Sequence, residues 1–238
     1  MIEVLNLTKS FGAITALRNI TFRAPDGAIT GLLGANGAGK STTLRTICGV
    51  LRPSGGSVQV DGLPPGDTLE LQRHVGGLLD HAGLYGRLTV RETLVYSGRL
   101  HGIPESRLHG RVDEVLTLLG MQAIAERRTA GFSQGERMKV ALGRAIIHAP
   151  RNLVLDEPAN GLDVPSVRSL RALLRHMRDS GACILLSSHM LDEVQTVCDR
   201  VVMVAGGCVV AEGEPDQLCR TAGVATLEDA FLAYTEVA

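Results

Sequence analysis

The chain has 238 residues, 45% of them hydrophobic and 21% charged, with a formal net charge of -1. That length suits a single α/β unit with room for a subsidiary helical lobe, and the composition is globular rather than low-complexity. The near-neutral balance lacks the excess of Lys and Arg that phosphate contacts demand of a dedicated nucleic-acid binder, so no nucleic-acid partner is expected.

The first residues, MIEVLNLTKSFG, have no basic region followed by an apolar stretch, and no segment reaches 18 uncharged apolar residues. Any membrane this chain serves is therefore expected to be spanned by another subunit. Residues 2–7 and 20–22 alternate apolar and polar, the pattern of antiparallel strands with one solvated face. Residues 28–33 change to a nearly continuous apolar run, ended by glycines and followed by a helical stretch over 40–50, which reads as strand, loop, helix.

The loop is Gly34-Ala-Asn-Gly-Ala-Gly39-Lys40-Ser41, a G-x-x-x-x-G-K-S pattern. Small residues let backbone N–H groups wrap phosphates, and the helix N-terminus adds its positive end. Lys40, one of only three lysines, would neutralise β- and γ-phosphates, and Ser41 would ligate Mg²⁺. Gly34, Asn36, Gly37, Ala38, Gly39, Lys40, Ser41 and the following Thr42 are assigned to nucleotide.

Beyond a Pro/Gly turn at 52–56, residues 57–60 read as a strand and 62–66 as a surface loop. Apolar residues at helical spacing over 89–119, broken near Gly102 and Pro104, predict an inserted helical lobe. A helix follows Phe132 to about His148, then an apolar strand over 153–155, a helix over 167–178 and a second apolar strand over 183–186. Strands buried on both faces and separated by helices indicate a parallel sheet. Gly206-Gly207 between apolar runs signals a hairpin, and residues 227–234 form a short amphipathic helix.

Asp156 and Glu157 leave the first of these strands at its carboxyl end, where open α/β sheets bind ligands. Asp156 suits Mg²⁺, and Glu157 is placed to deprotonate an attacking water. His189 emerges at the same edge after the second strand. The five cysteines show no C-x-x-C spacing, so neither a disulfide framework nor a zinc site is suggested.

This order of motifs resembles the ATP-binding subunit of ABC transporters across residues 4–213. Residues 34–41 look like Walker A, 153–157 like Walker B, Asn160-Gly161-Leu162-Asp163 like the D-loop, and His189 like the switch histidine. Phe11 is similar to the aromatic residue that stacks on adenine, and Phe132-Ser133-Gln134-Gly135-Glu136 resembles the family signature with Ser133 and Gly135 retained. The resemblance implies a P-loop NTPase core with a mainly parallel sheet, an N-terminal antiparallel β subdomain and an inserted α-helical lobe at about 84–150. Residues 1–238 are then one cassette, with 214–238 a helical tail.

It further implies ATP and Mg²⁺ as ligands, catalytic roles for Glu157 and His189, and contacts to nucleotide from Phe11, Ser133, Gly135 and Asp163. Two copies, a homodimer, would join head to tail, the signature of one completing the γ-phosphate site of the other. Asp80 stands where the family usually has a Gln touching Mg²⁺ or water, and is assigned to nucleotide and metal. Residues 132–150, 84–85, 87–89 and 227–231 look like the sodium-extrusion branch of bacterial exporters. An integral membrane permease is the implied partner, holding the chain on the cytoplasmic face of the cell membrane. A soluble ABC-type ATPase acting on ribosomes or DNA is the competing reading, without the second cassette, coiled-coil insertion or basic extension such proteins carry. A nucleotide-binding regulator that hydrolyses little is another, motivated by Asp80.

Overall fold

The computed structural model describes residues 1–63, 68–79 and 83–236. In chain order its elements are β1 (Ile2–Phe11), β2 (Ile14–Ala24), β3 (Ala28–Leu33), α1 (Lys40–Ile47), β4 (Gly55–Val60), α2 (Thr68–His74) and β5 (Val75–Leu78). There follow α3 (Val90–Leu100), α4 (Glu105–Leu118), α5 (Gln134–Ile146), β6 (Asn152–Leu155), α6 (Val164–Asp179) and β7 (Cys183–Ser188). The chain ends through α7 (Leu191–Val197), β8 (Arg200–Ala205), β9 (Cys208–Gly213), α8 (Pro215–Ala222) and α9 (Leu227–Glu236).

The apolar runs build a six-stranded sheet in the order β5-β6-β7-β3-β8-β9, parallel except for the β8–β9 hairpin. Its strands feed two cores by strict alternation. Leu153, Leu155, Ile184, Leu186, Val201 and Met203 enter one cluster, whereas Val154, Cys183, Leu185, Val202 and Val204 enter the other. Successive side chains of a strand point to opposite faces, so a strand covered on both faces is apolar throughout. Each fully buried aliphatic side chain contributes about 1.5–3 kcal/mol over exposure, which fixes the register.

The first cluster is continuous with the lobe: Leu94 on α3, Val112 and Leu116 on α4, and Leu142 and Ile146 on α5 join it, as do Leu227 and Ala230 on α9. The second lies under an antiparallel sheet ordered β2-β1-β4, through Ile2, Val4, Ile20, Phe22 and Val60, and under α1 through Leu44 and Ile47. Within the lobe, Thr89 and Glu92 form a reciprocal capping box at the start of α3, and Pro104 opens α4.

Differences from the sequence expectations are local. Helix α1 stops at Ile47, short of residue 50, because Gly49 turns the chain at φ 72°. Helix α6 starts at Val164 rather than 167, since Asp163 caps it and Pro165 occupies its first turn. Helix α2 is not among the sequence expectations, whereas α8 and α9 make up the helical tail expected over 214–238. Among the described residues no helix is long and apolar enough to cross a membrane.

Candidate functional site

The parallel register brings the carboxyl ends of four strands level, with Leu78 beside Leu155, Leu155 beside Leu186, and Leu33 beside Ser188. The loop after β3 runs into α1 through Gly39, whose φ of 107° is open to glycine alone; a Cβ there would stand 2.6 Å from Leu17 Cδ2. Gly39 offers no side-chain cap. The first-turn N–H groups of α1 therefore keep their donor capacity for an external acceptor. Asn36 and Gly37 are exposed on the loop, Ala38 is buried, and Ser41 and Thr42 are half-buried in the first turn.

Lys40 is buried, only 6% exposed. Its ammonium donates to the carbonyls of Gly34 at 2.7 Å and Ala35 at 3.3 Å, and lies 3.5 Å from Glu157 Oε1. A buried charge requires such partners. Glu157 adopts a left-handed backbone conformation, φ 48°, directly before Pro158. Proline disfavours the right-handed α region for the residue before it, and the turn is held by Ser187, whose hydroxyl accepts from Glu157 N–H at 2.9 Å.

The same Ser187 hydroxyl donates to Asp156 Oδ1 at 2.5 Å, so one buried side chain anchors both acids. Glu157 Oε2 meets His189 Nδ1 at 2.8 Å. Lys40, Glu157 and His189 thus form a line across three strand ends, with Asp156 beside it. The hydroxyl of Ser41 and the carboxylate of Asp156 are candidate oxygen donors for a metal. No group of three or more His, Cys, Asp or Glu able to hold a metal occurs among the described residues. A hydroxyl and one carboxylate fit an ion that takes its other ligands from phosphate and water, as Mg²⁺ does.

Gly135 and Asp163 meet at the start of α6, and Ser133 stands at the start of α5. Ser133 caps α5: its hydroxyl accepts from Glu136 N–H at 3.2 Å while Glu136 Oε2 accepts from Ser133 N–H at 2.9 Å. A Cβ on Gly135 would fall 2.5 Å from Ser166 Oγ, so α5 lies against the α6 turn. Gln134 Nε2 donates to Asn160 O at 2.9 Å, and Asp163 accepts from Ser166 N–H at 3.0 Å. The Ser166 bonds hold the Asp163 carboxyl below its ordinary range. Asn160 N–H in turn donates to Glu157 O at 3.1 Å, joining this group to the acid line.

Phe11, at the end of β1, is 48% exposed with Lys9 Nζ 5.0 Å over its ring. Asp80 lies outside the described residues. Ser187, which the sequence places at this edge with His189, is a candidate positioning residue to which sequence reasoning assigned no role. Its signal is a hydroxyl ending an apolar strand that is buried on both faces.

The family described as "ABC transporter" matches residues 17–160. The chain is 39% identical over 210 residues to the ABC transporter ATP-binding protein NatA of Bacillus subtilis (strain 168), spanning 86% of this chain and 84% of that protein. It is 32% identical over 220 residues to the bacitracin transport ATP-binding protein BcrA of Bacillus licheniformis, spanning 92% and 71%. A solved ATP-binding subunit of an ABC transporter is similar at a TM-score of 0.90 and 30% identity, covering 98% of this chain and 99% of that one.

Proposed function

This chain belongs to the ABC transporter ATP-binding family, and from that premise we propose that two copies close on MgATP at two shared sites and drive a separate membrane-spanning permease. Membership itself carries the broad activity: the chain is an ATP-binding, ATP-hydrolysing transporter subunit. The observation that carries the site assignment is the Lys40–Glu157–His189 line, closed at 3.5 and 2.8 Å beside an uncapped helix N-terminus.

Residues 34–42 wrap the phosphates with backbone N–H groups, Lys40 exchanges its carbonyl partners for β- and γ-oxygens, and Phe11 stacks on adenine. Ser41 and Asp156 would hold Mg²⁺, which would supply charge neutralisation on the phosphates. Glu157 takes the proton of the water that attacks the γ-phosphorus, while ADP departs. His189 fixes the aim of Glu157, and Ser187 fixes both acids. Ser133 and Gly135 of one copy face the γ-phosphate of the other, with Asp163 at the same boundary.

Residues 1–238 act as one cassette, the lobe at about 84–150 and the tail at 214–238 sharing its core. Relatives named for bacitracin transport and linearmycin resistance favour export, with the chain docked on the cytoplasmic face through its permease. The test is Glu157→Gln with ATP, followed by light scattering and phosphate release. Hydrolysis is expected to fall roughly 10²- to 10⁴-fold while dimers accumulate. Persistent monomers at high protein and ATP concentrations would end the shared-site reading.

A further inference from the structure

Glu136 brings a carboxylate into the first turn of α5, the turn that the proposed function aims at the neighbouring copy's nucleotide. Helix N-termini attract anions because they carry roughly half a positive charge, and a bare carboxylate there reverses the sign of the field. Both oxygens of Glu136 are engaged. Oε2 accepts from Ser133 N–H at 2.9 Å, and Oε1 accepts from Arg127 Nη1 at 3.3 Å. The Arg127 guanidinium also lies 5.1 Å from the Phe132 ring centroid, so it touches both ends of the 132–136 turn. Its backbone is pinned, donating to Ile124 O at 3.0 Å and accepting from Val90 N–H at 3.2 Å.

The Ser133 backbone amide holds the Glu136 carboxyl below the usual range, so the group is ionised at neutral pH. Its charge therefore needs an answer near the ligand. We propose that Arg127 is a positioning residue of the shared ATP site, neutralising Glu136 and bracing residues 132–136 so that Ser133 presents its hydroxyl in a net positive field. The inference rests on the shared-site reading and adds a residue to it.

Charge arithmetic makes it testable. Loss of Arg127 lowers the charge of the turn by one unit, Glu136→Gln raises it by one, and loss of both charges restores it, while Arg137, whose Nε donates to Phe132 O at 3.2 Å, adds the same cation to every arm. Gln serves the capping box as Glu does, so Glu136→Gln removes the charge and keeps the cap. As isolated surface pairs are weak in stability, the effect belongs to ligand capture.

The experiment uses the full chain carrying Glu157→Gln, with ATP titrated and dimers read by light scattering at low and high salt. Arg127→Ala is expected to raise the ATP needed for half-maximal dimerisation roughly fivefold at low salt, and less at high salt. Arg127→Lys should stay near the parent, Arg127→Ala with Glu136→Gln should return to it, and Glu136→Gln alone should need less ATP. Rescue and salt dependence separate this from a merely structural role, and the Glu136→Gln arm stands even where Arg127→Ala misfolds. An Arg127→Ala variant equal to the parent, a defect that Glu136→Gln does not relieve, or Glu136→Gln needing as much ATP as the parent overturns the inference while leaving the shared site intact. A parent that forms no dimers removes both.

Discussion

Two helix N-termini meet nucleotide in the proposed dimer, and they are built in opposite ways. Helix α1 is opened by Gly39, with no side-chain cap, and Lys40 adds a charge at its first position. Helix α5 is closed by the Ser133–Glu136 box, which consumes two of its free donors. The open end binds through backbone N–H groups of its own chain. The closed end has a different donor left: the Ser133 oxygen accepts from Glu136 N–H, and a hydroxyl keeps one proton to give. In that proposed dimer the loop is a site by itself, whereas the capped turn becomes one only against a second copy.

Lys40→Met attacks the open end and carries the largest expected effect. A charge-assisted bond is worth about 1.5–3 kcal/mol, so ATP affinity should fall roughly 10- to 100-fold by calorimetric titration. A change below threefold would mean that the loop does not anchor phosphate. Ser133 tests the closed end in two ways. Ser133→Ala removes the cap and should lower stability by about 1 kcal/mol as well as weaken ATP-driven dimerisation. Ser133→Asp keeps a good cap but sets a carboxylate against the phosphate, so melting should hold while dimerisation drops roughly tenfold. If the Asp variant dimerises normally, capping is all that Ser133 does.

The smallest effect concerns the far end of the same helix. There His148 stacks on His101 at 3.8 Å beside Arg111, and burial, then the charge of His101, pushes its imidazole down to about 4. The unfolded chain titrates that group near 6.5, so it binds more protons than the folded chain between those values. Stability is therefore complete above about 6.5 and declines as pH falls toward 4. His148→Phe keeps a flat ring and removes this loss, a gain on the order of 1 kcal/mol at pH 4.5 after solvent screening. Denaturant midpoints that fall equally with pH in both proteins would sink that account.

The loop end of the site was legible in sequence because its chemistry is contiguous: residues 34–41 sit between a strand and a helix whose periods are plain. The strands over 28–33, 153–155 and 183–186 were legible because burial on both faces leaves unbroken apolar runs. What sequence could not give was the meeting of distant residues. Ser187 reaches Asp156 and Glu157 only through the parallel register of β6 and β7. Likewise, α2 and α7 are seven residues each, too short to show a periodic face.

The two-sided alternation of the sheet makes the position of the acids a matter of counting. Odd and even residues of β6 serve different cores, so losing one residue from that strand would exchange Leu153 and Leu155 for Val154 and swing Asp156 to the opposite side. Conservative aliphatic exchanges within β6 leave the count untouched. The strand is therefore lenient toward substitution and intolerant of single-residue insertions or deletions. In this protein the gene's triplet count between Asn152 and Glu157 is as much a part of the proposed hydrolytic apparatus as the carboxylates themselves.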